Sequence, residues 1–190
     1  EEFIKQIPYF SYELNMNEAN FYAKALIFPN FILSLQQPYD LLHKDYSKNT
    51  KRNLDKALKS KLTIQTGLTA ETFLSFYFSV EKNFLSPKEP VLEKLIIKGI
   101  TENALSLYGV YCEKHELIAG LCILTTGNKI TYLLPVSNPR GKEVSAMFLL
   151  IDTIIRNEAG NDKLLDFEGS RIEGVARLYR GFGAKYHSYY

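Results

Sequence analysis

Two acidic residues lie two positions apart near the end of the chain, in the segment KLLDFEGSRIEGVARLYRGFGA at residues 163–184. They are Asp166 and Glu168, and the pattern predicts a short strand, a sharp turn and a helix. Residues two apart on a strand point to the same face, so both carboxylates would face one side of the sheet. Open α/β sheets bind ligands at the carboxyl ends of their strands. The pair is therefore a candidate for removing a proton from an amine or holding its ammonium group; the alternative is a solvated or capping pair.

Turn and helix chemistry explains the rest of this segment. Gly169 gives the turn its conformational freedom, and Ser170 with Glu173 fits a capping box at the helix start. Gly183 is the expected helix end. The helix between them is predicted to bury an apolar stripe of Ile172, Val175, Leu178, Tyr179 and Phe182.

Hydrophobic periodicity predicts the elements that must position these residues. In the first half they are a helix at 17–27, a strand at 31–37, a basic helix at 46–60 with a stripe of Leu54, Ala57 and Leu58, and a strand at 62–67. Thr69 then caps a helix that presents Phe73, Leu74, Tyr77, Val80 and Phe84. Pro87 and Pro90 break that helix and open another, with Val91, Leu92, Leu95, Ile96 and Ile100 on one side.

The second half begins with three closely spaced strands, at 105–113, 116–126 and 129–136. Their short connections predict antiparallel pairing, and the middle strand is apolar enough to be covered on both faces. A helix follows, with Val144, Met147, Phe148, Ile151, Ile154 and Ile155 inward and Gly160 at its end. After the strand and helix described first, residues 185–190 are predicted to form a last strand. The order β-α-α-β-β-β-α-β-α-β from residue 62 predicts an α/β fold with a mixed central sheet flanked by helices.

Composition limits the classes of protein to consider. The chain has 190 residues, 46% of them hydrophobic, which predicts one domain of ordinary size. The net charge of +2 is too small to require a nucleic-acid or membrane partner, and no apolar run is long enough to span a membrane. Cys112 and Cys122 lie in apolar, strand-like segments, which favours free thiols in a reducing cytoplasm over a disulfide. The absence of an initial Met is what a fragment of a longer protein would show.

The order of elements resembles the GNAT acyltransferase fold. Within that superfamily, DFEGS followed by a helix and YRGFGA is similar to the Fem-type branch of peptidyl and aminoacyl transferases. The upstream segment YSKNTKRNLDKALKSKLTIQTG also resembles that branch, in which a basic helix precedes the first strand of a lobe. Fem-type proteins usually have two GNAT lobes. The resemblance implies one complete lobe at 61–190, with residues 1–60 as a connecting segment, strand and basic helix, or as the tail of a missing lobe; a homodimer is the other way to supply a second lobe.

The resemblance assigns roles to further residues. A GNAT tyrosine four residues before a glycine acts as general acid, and Tyr179 with Gly183 has that spacing; the alternative is that Tyr179 belongs only to the core stripe. Strand 129–136 would expose backbone N–H groups to the acyl carbonyl, since Pro135 breaks its ladder.

The loop NPRGKEVSA corresponds to the GNAT loop that holds the pyrophosphate of an acyl-CoA. Arg140, Gly141 and Lys142 are its candidate phosphate ligands, with Asn138 or Gly141 as the helix cap. The usual pattern is Q/R-x-x-G-x-G/A, and Glu143 stands where its first glycine is expected. The departure leaves two acyl donors open, an acyl-CoA and an aminoacyl-tRNA.

The basic helix at 44–61 has two interpretations. Its lysines and Arg52 form either an ordinary charged outer face or a contact to a phosphate backbone such as that of tRNA. Other chemistries have no support: His43, His115 and His187 lack ligand spacing, so no metal site is expected, and no nucleophile elbow or P-loop is present.

Two functions remain from the sequence. The first is a cytoplasmic acyltransferase that moves an acyl or aminoacyl group to the amine of a small molecule or peptide, with Glu168, Asp166 and Tyr179 as catalytic residues and no metal. The second is a degenerate, non-catalytic lobe that acts as a scaffold or binding module.

Overall fold

The computed structural model of the protein describes residues 28–80, 89–169 and 172–189. The elements within these ranges are β1 (Phe28–Ser34), α1 (Tyr39–Lys44), α2 (Lys48–Lys59), β2 (Thr63–Thr66), α3 (Ala70–Val80), α4 (Glu89–Thr101), β3 (Leu105–Tyr111), β4 (Leu117–Thr126), β5 (Lys129–Ser137), α5 (Pro139–Glu143), α6 (Ala146–Glu158), β6 (Leu164–Asp166), α7 (Glu173–Gly181) and β7 (Lys185–Tyr189). The helix predicted at 17–27, the side chain of Phe84 and the Ser170 half of the capping box lie outside the described residues.

The strands form one mixed sheet in the order β2-β3-β4-β5-β6-β1-β7. β5 and β6 run parallel, and the other neighbouring pairs are antiparallel. The antiparallel run β3-β4-β5 is confirmed, because the connections after Tyr111 and Thr126 are too short for a crossover. The predicted order of elements from residue 62 and the α/β fold class with a mixed central sheet are also confirmed.

Helices cover both faces of the sheet. Buried residues of α3 and α4 pack on one face, and those of α1, α2, α6 and α7 pack on the other. The central strand β4 is covered on both sides, as predicted. Leu121 packs with the residues of α1, α2, α6 and α7, and Cys122 packs with those of α3 and α4. Full burial of one such aliphatic or aromatic side chain contributes about 1.5–3 kcal/mol, so these two layers hold the sheet in place.

Three predicted helix ends are present in the structure. The Thr69 hydroxyl accepts the N–H of Thr72 at 3.1 Å and caps α3. Gly160 follows α6 with φ +83°, and Gly183 follows α7 with φ +87°. Both glycines adopt the left-handed conformation that ends helices at little steric cost.

The apolar sides predicted for two helices are only partly buried. On α4 only Ile96 is buried, while Val91 and Leu95 are 61% and 60% exposed, because the helix contacts the sheet mainly along β3. On α2, Leu58 is 60% exposed, because the line of contact with α6 passes through Leu54 and Ala57. Each helix therefore buries only a narrow stripe of its apolar side chains.

The helix predicted as one element after residue 138 is two. α5 and α6 are separated at Ser145, which has φ +60°. The Ser145 hydroxyl donates to Oδ1 of Asn53 on α2 at 2.9 Å. This contact across 92 residues holds a backbone conformation that a serine seldom adopts alone.

A buried carboxylate joins α1 to α6. Asp152 is 2% exposed and accepts hydrogen bonds from the hydroxyls of Tyr39 at 2.8 Å and Tyr46 at 3.1 Å. Its other oxygen pairs with Arg156 at 3.4 Å, and that guanidinium lies 4.0 Å over the Tyr39 ring. Burial raises the pKa of Tyr39 to about 12, with Asp152 adding to the effect. The sequence analysis did not identify this cluster.

Both cysteines are free thiols, as predicted. Cys122 is buried on β4, and burial raises the pKa of its thiol to about 12. Helices in the described part of the chain are all too short or too polar to cross a membrane.

Candidate functional site

The sheet opens between its two parallel strands. β5 and β6 are paired from Lys129↔Leu164 to Thr131↔Asp166. β5 then continues along β4 as far as Ser137↔Ala119, whereas β6 ends at Asp166. Among the described residues, the second half of β5 therefore has a strand on one side and none on the other. We call this gap the β5–β6 wedge.

The edge of β5 that borders the wedge is irregular. Between the pairs Cys122↔Leu133 and Gly120↔Val136, β5 has one residue more than β4. Leu134 has φ +47°, and Pro135 cannot donate a hydrogen bond. An extra residue of this kind is a bulge, which redirects the backbone. The sequence-based prediction that Pro135 interrupts the ladder here agrees with this geometry.

Asp166 lies at the inner end of the wedge. Its side chain is 1% exposed, and both of its oxygens are engaged. Lys129 Nζ lies 2.9 Å from Oδ2, and the backbone N–H of Glu168 donates to Oδ1 at 2.8 Å. The carboxylate thus lies at the carboxyl end of a strand, as predicted. It is buried, however, and accepts a hydrogen bond from the backbone of the turn that follows.

Glu168 follows the strand instead of lying on it. β6 ends at Asp166, and Glu168 has φ +62° with an exposed side chain. Between the two, Phe167 is buried, and its N–H donates to the Phe31 carbonyl at 2.9 Å. The prediction that Asp166 and Glu168 share one face of a strand is therefore wrong, because the chain turns before Glu168. Only Glu168 of the pair reaches solvent.

Tyr179 of α7 packs beside this turn. It is 5% exposed and stacks on Phe167, with ring centroids 4.6 Å apart and planes at 22°. Burial, together with the negative charge of Glu168, raises the pKa of its phenol to about 12. Tyr179 therefore belongs to the core and also lies within electrostatic reach of Glu168. At neutral pH it keeps its proton.

The predicted stripe of α7 is partly buried. Tyr179 and Phe182 are buried, but Ile172 is 68% exposed, because α7 begins only at Glu173. Glu173 pairs with Arg180, whose guanidinium also lies 5.6 Å over the Phe31 ring.

Tyr132 is a residue of this site that sequence reasoning missed. It lies on β5, next to the last pair with β6, and its ring is 5.8 Å from Tyr179 and 5.6 Å from Phe167. Burial raises its pKa well above the ordinary value, and the neighbouring Tyr179 adds to the shift. Neither phenol makes a hydrogen bond to another described residue. The signal in the sequence was the single aromatic residue of strand 129–136.

The loop expected to hold donor phosphates begins at Asn138, directly after the end of β5. Asn138 caps α5, as predicted, by accepting the N–H of Gly141 at 2.8 Å. A side chain at Gly141 would collide with the Ile118 carbonyl, so this glycine is required for close packing on β4. Arg140 pairs with Glu143 at 2.7 Å, and Lys142 is exposed.

Arg140 lines a cavity of about 400 Å³ between the β3–β4 turn, the end of α2 and α5. Glu113, Lys114 and Glu116 of that turn line it too, and none of the residues around it belongs to the wedge. The structure thus brings Glu168, Asp166 and Tyr179 together but does not join the α5 loop to them.

The basic helix α2 begins close to the site. Its cap residue Ser47 donates its N–H to the Gly181 carbonyl at the end of α7, at 2.9 Å. Thr50, Leu54 and Ala57 are buried. Its exposed basic residues are Lys48, Arg52, Lys56 and Lys59. Across the described ranges, no group of three His, Cys, Asp or Glu side chains is arranged to hold a metal ion.

Comparisons with known proteins give a likeness in fold alone. No family model matches the sequence, and no curated protein matches it. FemX is 12% identical, with a TM-score of 0.69 over 85% of this chain and 60% of FemX. L-PGS from Bacillus licheniformis is 12% identical, with a TM-score of 0.58 over 94% of this chain and 65% of that protein. A tandem GNAT protein from the clavulanic acid biosynthesis pathway is 11% identical, with a TM-score of 0.55 over 93% and 53%.

These comparisons define the class of fold. The protein has a GNAT-like fold, as the order of its elements predicts. The chain spans between 53% and 65% of the length of the three structures that it resembles.

Proposed function

We propose that this protein is an acyltransferase of the Fem-like kind, which moves an acyl or aminoacyl group from a donor ester or thioester to an amine. The observation that carries the proposal is the β5–β6 wedge, which has an interrupted strand edge on one side and Glu168 with Tyr179 at its end. The GNAT-like fold, the likeness to FemX and the DFEGS and YRGFGA motifs support the same assignment.

Glu168 is the proposed proton acceptor. A neutral amine that attacks the acyl carbon must lose one proton as the new bond forms, and an exposed carboxylate beside the wedge can take that proton or hold the ammonium form before attack. Asp166 is less suited to this step, because Lys129 and the Glu168 N–H occupy both of its oxygens. We therefore assign Asp166 a supporting role.

Tyr179 is the proposed proton donor to the leaving group. Its raised pKa, about 12, keeps the phenol protonated at neutral pH, as a general acid requires. Glu168 would thus take the proton from the amine, and Tyr179 would give one to the departing oxygen or sulfur. The two protons balance over one transfer.

The interrupted edge of β5 is the proposed site for the acyl carbonyl. Backbone N–H groups that are not used by a neighbouring strand stabilise the negative charge that develops on this oxygen. The second half of β5 has no pairing with β6 to use them. Positioning the donor here and the amine near Glu168 supplies most of what this chemistry needs.

Two donor classes follow from this proposal, and the observations favour aminoacyl-tRNA over acyl-CoA. The Asn138 side chain already occupies the Gly141 N–H, and α5 has only five residues. The exposed lysines and Arg52 of α2 instead offer a phosphate-binding face near the end of α7. Arg140 and Lys142 remain candidates for a donor phosphate outside the wedge.

A thermal-shift titration tests the choice of donor. The protein is titrated with acetyl-CoA, free CoA and bulk aminoacylated tRNA at low salt, since a ligand that binds only the folded state raises Tm. We expect a shift with tRNA that decreases steeply with salt. A shift with CoA alone would replace the proposed donor, and no shift with any of them would favour a non-catalytic lobe.

A matched pair of variants locates the tRNA contact. Lys56→Glu with Lys59→Glu reverses two exposed charges on α2, and Lys94→Glu with Lys98→Glu does the same on α4. We expect the α2 variant to abolish the tRNA-dependent shift and the α4 variant to retain most of it. Equal effects of the two variants would mean that binding depends on net charge alone.

A further inference from the structure

We propose that Lys129 is a positioning residue for Glu168 and acts through Asp166, an inference that rests on the acyl-transfer function proposed above. The three residues form a chain of contacts. Lys129 Nζ lies 2.9 Å from Asp166 Oδ2, and the backbone N–H of Glu168 donates to Asp166 Oδ1 at 2.8 Å. One carboxylate thus links a lysine at the start of β5 to the turn that carries the proposed proton acceptor.

The lysine supplies a cation to the carboxylate in the middle of this chain of contacts. The side chain of Asp166 is 1% exposed, and a buried carboxylate without a cation is strongly unfavourable. Lys129 is 35% exposed, so its ammonium group reaches Asp166 while staying partly hydrated. The pairing of Lys129 with Leu164 across the parallel strands fixes the spacing between the two side chains.

The carboxylate in turn holds the backbone of Glu168. A residue other than glycine is disfavoured at φ +62°, so this conformation needs a partner that maintains it. Asp166 Oδ1 supplies that partner, while the Phe167 N–H is fixed to the Phe31 carbonyl. The turn therefore presents Glu168 toward Tyr179, consistent with the effect of its charge on the pKa of that phenol.

The experiment uses Tyr179 as a reporter of where Glu168 lies. 3,5-Difluorotyrosine is incorporated at position 179, because its fluorines are small and lower the pKa of the phenol into a range that the fold tolerates. The ¹⁹F shift is followed against pH in the parent protein and in the Glu168→Gln, Lys129→Met and Lys129→Arg variants. Circular dichroism at each pH confirms that the protein is folded.

We expect Glu168→Gln to lower the pKa of the reporter, because a nearby negative charge is removed. Lys129→Met should lower it by most of the same difference, because Glu168 moves away, and Lys129→Arg should restore the parent value. In the Glu168→Gln background, Lys129→Met should no longer lower the pKa. The direct loss of a positive charge has the opposite sign, since it raises the pKa of a phenol, so the sign separates positioning from simple electrostatics.

Lys163→Met is the matched control. Lys163 precedes β6, is 30% exposed and pairs with Glu158 at 2.7 Å. We expect it to leave the reporter unchanged. A rise or no change in the reporter pKa with Lys129→Met, or a fall that persists in the Glu168→Gln background, would overturn the proposal. The titration needs no donor or acceptor, so its result stands apart from the outcome of the donor titration.

Discussion

Asp152 and Asp166 are both buried carboxylates, 2% and 1% exposed, yet their surroundings differ. Asp152 accepts from the side chains of Tyr39, Tyr46 and Arg156, which tie α1 to α6 and include no residue of the wedge; we call this cluster the α1–α6 clamp. Asp166 pairs with one lysine and accepts one backbone N–H, and that N–H belongs to an exposed glutamate beside the wedge. Burial of an acid therefore does not by itself mark a functional site. The two aspartates differ in what they hold: Asp152 ties two helices together, whereas Asp166 holds the backbone of Glu168 beside the wedge.

The largest expected effect comes from breaking the clamp. Asp152→Ala leaves two phenols without their shared acceptor, and each hydrogen bond to a charged group is worth about 1.5–3 kcal/mol, so the two together contribute about 3 kcal/mol or more; Arg156 is 55% exposed and stays hydrated. We expect urea denaturation to show a loss in this range and the folded protein to keep its binding of the acyl donor. A loss of donor binding in a variant that remains folded would place Asp152 in the site.

Removing single phenols sharpens the comparison at neutral pH. Tyr39→Phe deletes a hydrogen bond to a charged group, which is worth about 1.5–3 kcal/mol. Tyr179→Phe deletes a hydroxyl without a hydrogen bond to another described residue, so the free energy of unfolding should change by no more than about 0.5 kcal/mol. Equal losses, measured by urea denaturation, would mean that the Tyr179 hydroxyl is a structural group like that of Tyr39.

The same two variants should also change how the stability of the protein depends on pH in the alkaline range. Tyr39 and Tyr179 both have pKa values raised from 10.0 to about 12, so each contributes stability that is present below pH 10 and is lost as the pH rises toward 12. The unfolded state loses these protons first, so unfolding becomes easier in this window. We expect either phenylalanine variant to make the fall in Tm between pH 10 and 12 shallower. An unchanged slope would mean that the phenols titrate alike in both states.

The smallest expected effect concerns a third buried polar group. The Ser137 hydroxyl, at the end of β5, is buried and has no hydrogen-bond partner among the described residues. Ser137→Ala should therefore leave stability unchanged or raise it by about 1 kcal/mol, whereas Ser145→Ala, which loses the bond to Asn53, should lower it by about 1 kcal/mol. A clear loss with Ser137→Ala in thermal unfolding would show that this hydroxyl has a partner in solution.

The sequence predicted the parts of the fold that local chemistry determines. Thr69, Asn138 and Gly160 mark helix ends by caps and turn preferences that operate within a few residues. The antiparallel run β3-β4-β5 followed from short connections. The resemblance to the GNAT fold followed from this order of elements.

The features that sequence reasoning missed depend on contacts distant in sequence. Lys129 and Asp166 are 37 residues apart and meet only because β5 and β6 are parallel neighbours. The break at Ser145 depends on Asn53, 92 residues away. The turn at Glu168 could not be read from alternation, because a strand pattern does not report where the strand stops. Asp166 and Glu168 were both identified, but their division of roles required the structure.

The rate of acyl transfer in Glu168→Gln tests the central claim most directly. Transfer of radiolabelled aminoacyl groups from tRNA to a pool of lysine peptides and amino sugars is measured for the parent protein, for Glu168→Gln and for the control Glu102→Gln, an exposed residue directly after α4. The account predicts a loss of about 100-fold or more for Glu168→Gln, as for removal of a general base, with unchanged Tm and a control that retains the parent rate. Transfer at the parent rate by Glu168→Gln would contradict the account.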